Sequence, residues 1–349
     1  MPFPLLLLLF LSALLHAGAL AQPTEDRHEL IAIAFYNFEN LFDTLDDPWK
    51  YDEDFTPSGI YNYTAAVYRA KLHNLAVVLQ KLGTDISPEG PAIIGTAEIE
   101  NARVLHDLTA QPEIRHRRYR FVHFESPDAR GIDVALLYHP KYFHLLQARA
   151  LFTDISATGE KGGRTRDVLH VTGILRGDTA HVFVNHWPSR RGGEEASAVL
   201  RKMAARVSRK VIDSLFAVNP ETRILVMGDF NDDPGNASIR HSLGASGDIR
   251  KIKVGELYNP WGAFINRGIG TLGYNDSWNL FDQIILSSGW FSQSGRHWAY
   301  HKADIYNRDF LKEHFGRFKG YPHRSFDGTN WINGYSDHFP VIIYLKRTL

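Results

Sequence analysis

Residues 223–234, RILVMGDFNDDP, constrain this chain more than any other stretch. The apolar run 224–227 (ILVM) is bounded by turn residues, which is the pattern of a strand buried on both faces. It delivers Gly228, Asp229, Phe230 and Asn231 at its end, and in α/β sheets ligands and catalysis gather where strands end. Asp229 can ligate a metal or take a proton from water. Asn231 can donate an amide hydrogen to a phosphoryl oxygen and keep an acceptor free. A self-satisfied Asx turn would use the same residues, so the rest of the chain has to decide.

The pattern recurs. Residues 30–36 (LIAIAFY) end in Asn37, Phe38, Glu39 and Asn40. Residues 91–97 (PAIIGTA) end in Glu98, Ile99, Glu100 and Asn101, and residues 180–184 in Asn185 and His186. Asp282 precedes the run IILS, and Ser336, Asp337 and His338 precede the last run, VIIYL. Residues 131–138, 143–152 and 168–175 read as further strands, with Arg164 and Arg166 ahead of the last. Those arginines suit either a substrate phosphate or a structural ion pair.

Three stretches have helical spacing. Val67, Leu72, Leu75, Val78, Leu79 and Leu82 form one apolar stripe, with Gly83 as its C-cap, and residues 101–108 form a second helix. The third, 195–216, is expected to turn Val199, Met203, Val207 and Leu215 inward and to leave Arg201, Lys202, Arg206, Arg209 and Lys210 as a solvated face. Residues 46–63 read as a loop covering an edge, and the basic run 115–120 (RHRRYR) as a solvated loop.

A carboxylate directly after a buried strand is costly unless it is solvated, paired or bound to a cation, so Glu98 is the first metal candidate. Glu100 either points to the opposite side or caps the helix at 101–108. Oxygen-rich ligands in a chain with no cysteine suit a hard cation, Mg²⁺, Mn²⁺ or Ca²⁺, rather than structural zinc. Hard cations beside His186 and His338 point to phosphoryl transfer, where charge must be neutralised and a water activated.

The equal counts of 39 basic and 39 acidic residues argue against a general electrostatic grip on nucleic acid. Residues 4–15 (PLLLLLFLSALL) followed by Ala19-Leu20-Ala21 read as a signal peptide, residues 1–21, cut before Gln22. The expectation is therefore export to the periplasm or the medium, with no lipid anchor because there is no cysteine and with no membrane span after cleavage. Residues 22–349 would form one domain, acting as a monomer with no stable protein partner.

Seven blocks in order, NFENLFD (37–43), TAEIEN (96–101), GIDVALLY (131–138), VNHWPSR (184–190), MGDFND (227–232), FDQIILS (281–287) and SDHFPV (336–341), resemble the endonuclease/exonuclease/phosphatase family of metal-dependent phosphoesterases. The resemblance implies an α/β fold, a four-layer αββα sandwich of two mixed sheets flanked by helices. It implies Glu98 as principal metal ligand, with Asn37 and Glu39 supporting and Asp337 as a further ligand. His186 would contact the scissile phosphate or assist the leaving group. Asp229 would orient or deprotonate the water, Asn231 would stabilise the phosphoryl oxygens, and His338 would be the second imidazole, oriented by Asp282. Asn37, Arg166 and Asn185 are the substrate-binding candidates. The expected function is an exported divalent-metal phosphodiesterase acting on nucleic acid. The alternative is a phosphatase or sphingomyelinase-like enzyme acting on small or lipid phosphates. A silent binding module on the same scaffold would have lost Glu98, Asp229 or His338, and all three are present.

Overall fold

The apolar runs become the central strands of two sheets in the computed structural model, which describes residues 28–156, 164–291 and 295–349. The expected signal peptide lies outside the described residues. The chain begins with β1 (His28–Leu41), α1 (Ala65–Lys81), β2 (Ile93–Ile99), α2 (Ala102–Thr109), β3 (Arg120–His123) and β4 (Asp133–Tyr138). It continues through β5 (Phe143–Leu151), β6 (Val168–Leu175), β7 (Asp178–His186), α3 (Glu194–Val218) and β8 (Arg223–Asp229). Two short strands, β9 (Ala245–Ser246) and β10 (Leu257–Tyr258), precede α4 (Gly262–Ile265) and the hairpin β11 (Leu272–Tyr274) with β12 (Ser277–Asn279). The last elements are β13 (Asp282–Ser287), β14 (Ala299–Ile305), the hairpin β15 (Phe326–Asp327) with β16 (Asn330–Trp331), and β17 (Val341–Thr348).

One sheet runs β14-β17-β1-β2-β4-β3 and the other β5-β6-β7-β8-β13-β10-β9. Both are mixed. The parallel pairs β1–β2 and β7–β8 are joined through α1 and α3, because a parallel connection needs a crossover long enough to hold a helix. Side-chain alternation then sets the layers. In β8, Leu225 and Met227 enter the core shared by the two sheets, whereas Ile224 and Val226 pack with Ala204, Ala205 and Ile212 of α3. At Gly95 of β2 a Cβ would lie 2.4 Å from the Met227 sulfur, so the sheets approach there only because the residue is glycine. Helices α1 and α3 on the outer faces complete the four-layer sandwich.

Two expectations about charged residues are corrected. Arg117, placed by sequence in a solvated loop, is buried and donates to the carbonyls of Leu79 (2.7 Å) and Gln80 (2.6 Å), closing the C-terminus of α1. In α3 the buried face is Ser197, Leu200, Arg201, Ala204, Ala205, Ser208 and Ile212, and Val199 is 49% exposed. Of the residues expected inward, Val207 and Leu215 pack against the core at its margin, whereas Val199 faces out and the centre of the buried face is the row Leu200, Arg201, Ala204, Ala205, Ser208 and Ile212. Arg201 is fully buried, with its Nε 2.7 Å from Asp232 Oδ1 and its Nη2 on the Glu194 carbonyl. Removing one partner of such a pair leaves a buried charge unmatched. Arg201→Ala is expected to lower stability by about 3–5 kcal/mol, measured as the denaturant midpoint, and an unchanged midpoint would rule out a structural role for the pair.

Candidate active site

Three neighbouring strands of the second sheet end in one row. His186 of β7 is the parallel register partner of Asp229 of β8, and Asp229 is the antiparallel partner of Asp282 of β13. Residues directly opposite in register share a face, so all three side chains emerge on the inner side, above Val184, Met227 and Ile284 of the intersheet core. His338 arrives from the segment before β17 and sets its Nδ1 2.7 Å from Asp282 Oδ2. Its other nitrogen, Nε2, lies 3.9 Å from Asp229 Oδ2, and His186 Nε2 approaches the same oxygen to 3.7 Å.

The first sheet faces this row with Asn37 and Glu98. The register of β1 with β2 shifts between Asn37 and Leu41, and that of β2 with β4 shifts between Ala97 and Ile99. These bulges contain Glu39, Asn40 and Glu98, all with φ between 50° and 61°, and Asn231 across the site has φ 50°. Left-handed backbone in non-glycine residues is costly and gathers at functional sites, and bulges re-aim side chains. Glu98 Oε2 accepts from Asn40 N (2.9 Å) and Oε1 from Asn37 Nδ2 (3.2 Å). Asn37 Nδ2 also reaches Asp229 Oδ2 at 3.1 Å, joining the two sheets over the site.

The two imidazoles are pushed in opposite directions. Burial, with Arg166 and Arg130 nearby, holds His186 well below its ordinary pKa, so it is neutral. Burial opposes charge on His338 too, but Asp282, aided by Asp337 and Asp229, outweighs it and holds His338 protonated well above the usual range. Asp229 is pushed up to about 7 by burial, with His338 opposing and Asp282 and Glu98 adding. That carboxylate is short of positive charge. Ligand atoms of Glu98, His186 and Asp229 all lie within 4.8 Å of one another. His186 faces both carboxylates through Nε2, 3.8 Å from Glu98 Oε1 and 3.7 Å from Asp229 Oδ2. Two carboxylates and an imidazole so placed fit a divalent cation, which would supply the missing charge.

The family model described as Endonuclease/Exonuclease/phosphatase family matches residues 32–347. The chain belongs to that family. No curated protein matches the sequence. Among solved structures, TDP2 from D. rerio complexed with single-strand DNA product superposes with TM-score 0.52 at 13% identity, covering 90% of this chain and 98% of that one. An endonuclease/exonuclease/phosphatase family protein from Bacteroides thetaiotaomicron gives 0.52 at 15%, covering 93% and 100%. A mannosyl-6-phosphatase from the same organism gives 0.52 at 15%, covering 90% and 99%. At these identities the likeness concerns the fold. The family membership makes this chain a metal-dependent phosphoester hydrolase.

Within this family member, Asn37, Glu98, His186, Asp229, Asp282 and His338 come together, and Asn231 borders them, its backbone N–H on Asp229 Oδ1 and its amide on the Trp187 carbonyl. Asn185, expected at the substrate, is not there. Alternation along β7 puts it on the α3 side with Phe183, where its Oδ1 accepts from Ser208 and from the Trp187 indole. Arg166 is likewise withdrawn from substrate. It is buried in an ion pair with Asp128 (3.1 Å) and donates to the carbonyls of His186 and Trp187, holding the loop that carries the histidine.

Glu39 and Asp337 do not join the Glu98 cluster. Glu39 accepts from Ser325 N at 2.7 Å, and burial together with Asp337 raises its pKa to about 7, with Lys71 opposing. Asp337 pairs with Arg324 at 2.9 Å. Sequence reasoning missed Lys71, which is fully buried, donates to Ser325 Oγ and faces Glu39. Its place inside the stripe Val67–Lys71–Leu75 was the available signal. It also missed Arg190, which binds the Asn231 carbonyl and Asp233 and so fixes the loop after β8.

Proposed function

We propose that this enzyme is an exported phosphodiesterase that uses Mg²⁺, Mn²⁺ or Ca²⁺ to cleave nucleic acid. The observation that carries the reading is the convergence of Glu98, Asp229 and two imidazoles, one neutral and one protonated, at the meeting of the two sheets. A bound divalent cation at Glu98 would polarise a phosphoryl oxygen and neutralise its charge. The chain's own residues do the rest. Asn37 pins the Glu98 and Asp229 carboxylates. Asp229 orients a water for attack and accepts its proton, which its raised pKa favours. The remaining amide hydrogen of Asn231 is free for a phosphoryl oxygen. Protonated His338, held by Asp282, offers Nε2–H to the leaving oxygen. Neutral His186 faces the scissile phosphate or serves as a cation ligand.

A nucleic-acid substrate is supported by the likeness to a TDP2 caught with a DNA product. The balanced charge and the likeness to a mannosyl-6-phosphatase favour a second reading, a phosphatase on small phosphates. The purified protein should therefore be assayed on plasmid DNA, single-stranded RNA, mannose 6-phosphate and sphingomyelin, with each cation and with chelator. Cation-dependent nicking of plasmid, abolished by chelator, is expected. Turnover of monoesters without nicking would replace the nuclease reading with the second one. No helix among the described residues is long and apolar enough to cross a membrane. Export is tested separately, by the N-terminal residue of the protein recovered outside the cytoplasm, expected to be Gln22.

A further inference from the structure

Next to the catalytic centre lies a cavity of about 340 Å³ that the mechanism above does not use. Its walls are Phe315, Phe318, Tyr321 and Ile332, with Arg317 and Arg324 between them, and Asp337 closes the inner end. Asp337 Oδ1 is 3.8 Å from His338 Nε2, so only Asp337 stands between the cavity and the proposed proton donor. Phe315 is 82% exposed and Phe318 47% exposed. Aromatic faces left open beside a reaction centre are surfaces for something planar. Gly273 of the β11–β12 hairpin closes the remaining side against Tyr321, where a Cβ would lie 2.4 Å from the ring.

The charges narrow the occupant. Arg324 is matched by Asp337 (2.9 Å) and Glu39 (4.0 Å), Arg317 by Asp276 (3.2 Å), and Glu313 by His323 (3.3 Å). Asp327 also lines the wall, so neither guanidinium is spare for a second phosphate, and the Arg317 guanidinium already lies 5.9 Å over the Phe318 ring, where a quaternary ammonium such as choline would have to sit. What remains is a neutral, flat group whose edge can accept a hydrogen bond from guanidinium and donate one to carboxylate. We propose that this cavity binds a nucleobase of the substrate, the one attached next to the scissile phosphate, stacked on Phe318 and Phe315. The proposal rests on the phosphodiesterase reading and adds the side group that the enzyme selects.

Three diesters sharing the p-nitrophenol leaving group separate the possibilities: thymidine 5′-(p-nitrophenyl phosphate), p-nitrophenylphosphorylcholine and methyl p-nitrophenyl phosphate. Phe318→Leu is expected to lower kcat/KM for the thymidine ester about tenfold more than for the methyl ester, the scale of one lost base stack, and Phe318→Tyr is expected to restore it. Phe315→Ala, at a site too exposed to threaten the fold, is expected to act in the same direction. Equal losses on all three esters, or a selective loss on the choline ester, would overturn the nucleobase assignment. If none of the three is hydrolysed, it is the phosphodiesterase reading that fails. The cavity is then read by calorimetry with thymidine 5′-monophosphate: binding that Phe318→Leu weakens about tenfold supports the pocket, and binding that is absent or indifferent to Phe318 removes it.

Discussion

Glu98→Gln is expected to cut hydrolysis on the order of a thousandfold while leaving the fold intact. Charge stabilisation by a bound cation contributes several kcal/mol to a phosphoryl-transfer transition state, and each ~1.36 kcal/mol is tenfold in rate. The glutamine keeps one acceptor oxygen, enough for Asn40 N but not also for Asn37 Nδ2 on the other oxygen, and withdraws one of the two carboxylates facing His186. Two measurements separate loss of cation from loss of structure. The cation-free variant should melt close to the wild type, since the loss of one hydrogen bond is offset by removing a half-buried carboxylate that repels Asp229. The rise in Tm on adding Mg²⁺ or Mn²⁺, which follows from binding to the native state alone, should shrink or disappear. Wild-type turnover, or an undiminished cation-induced rise, would take Glu98 out of the metal site.

Asp282→Asn is expected to have an effect of similar size. Asp282 is fully buried, and its carboxylate both orients His338 and holds its proton. The amide is expected to lower kcat by about a thousandfold, within the range for loss of a general acid or base. The sign of the pH effect follows from the charge. Asp282 raises the His338 pKa, so removing it lets the proton leave at lower pH, and the alkaline limb of the kcat/KM profile should move toward neutrality. His338→Ala should match the rate loss and abolish that limb. A fall of less than about tenfold with the alkaline limb unmoved would make the pair structural.

The strand ends were legible in the sequence because a polar residue after a short apolar run has few inexpensive explanations, and that sufficed to find Asn37, Glu98, His186, Asp229, Asp282 and His338. What could not be read was direction. Asn185 and His186 look alike as polar residues after β7, yet the two-residue period sends only the histidine with Val182 and Val184 into the intersheet side. Counting from Phe183 would have removed Asn185. The bulge that turns Glu98 leaves no comparable mark, because its cause is pairing with two other strands. Arg117 and Arg201 were assigned to water because a charged residue goes there by default, and their partners stand at the end of α1 and at Asp232, beyond any local window. For Arg166, read as a phosphate contact or an ion pair, the distant Asp128 decides for the ion pair.

The bond from Asn37 to Asp229 spans 192 residues of sequence and ties one sheet to the other. Each sheet alone carries an incomplete set: Asn37 and Glu98 on one, His186, Asp229 and Asp282 on the other. A complete set therefore exists only where the two layers are docked, so a loosening of the contact between the sheets would dismantle the site while leaving every strand ladder in place.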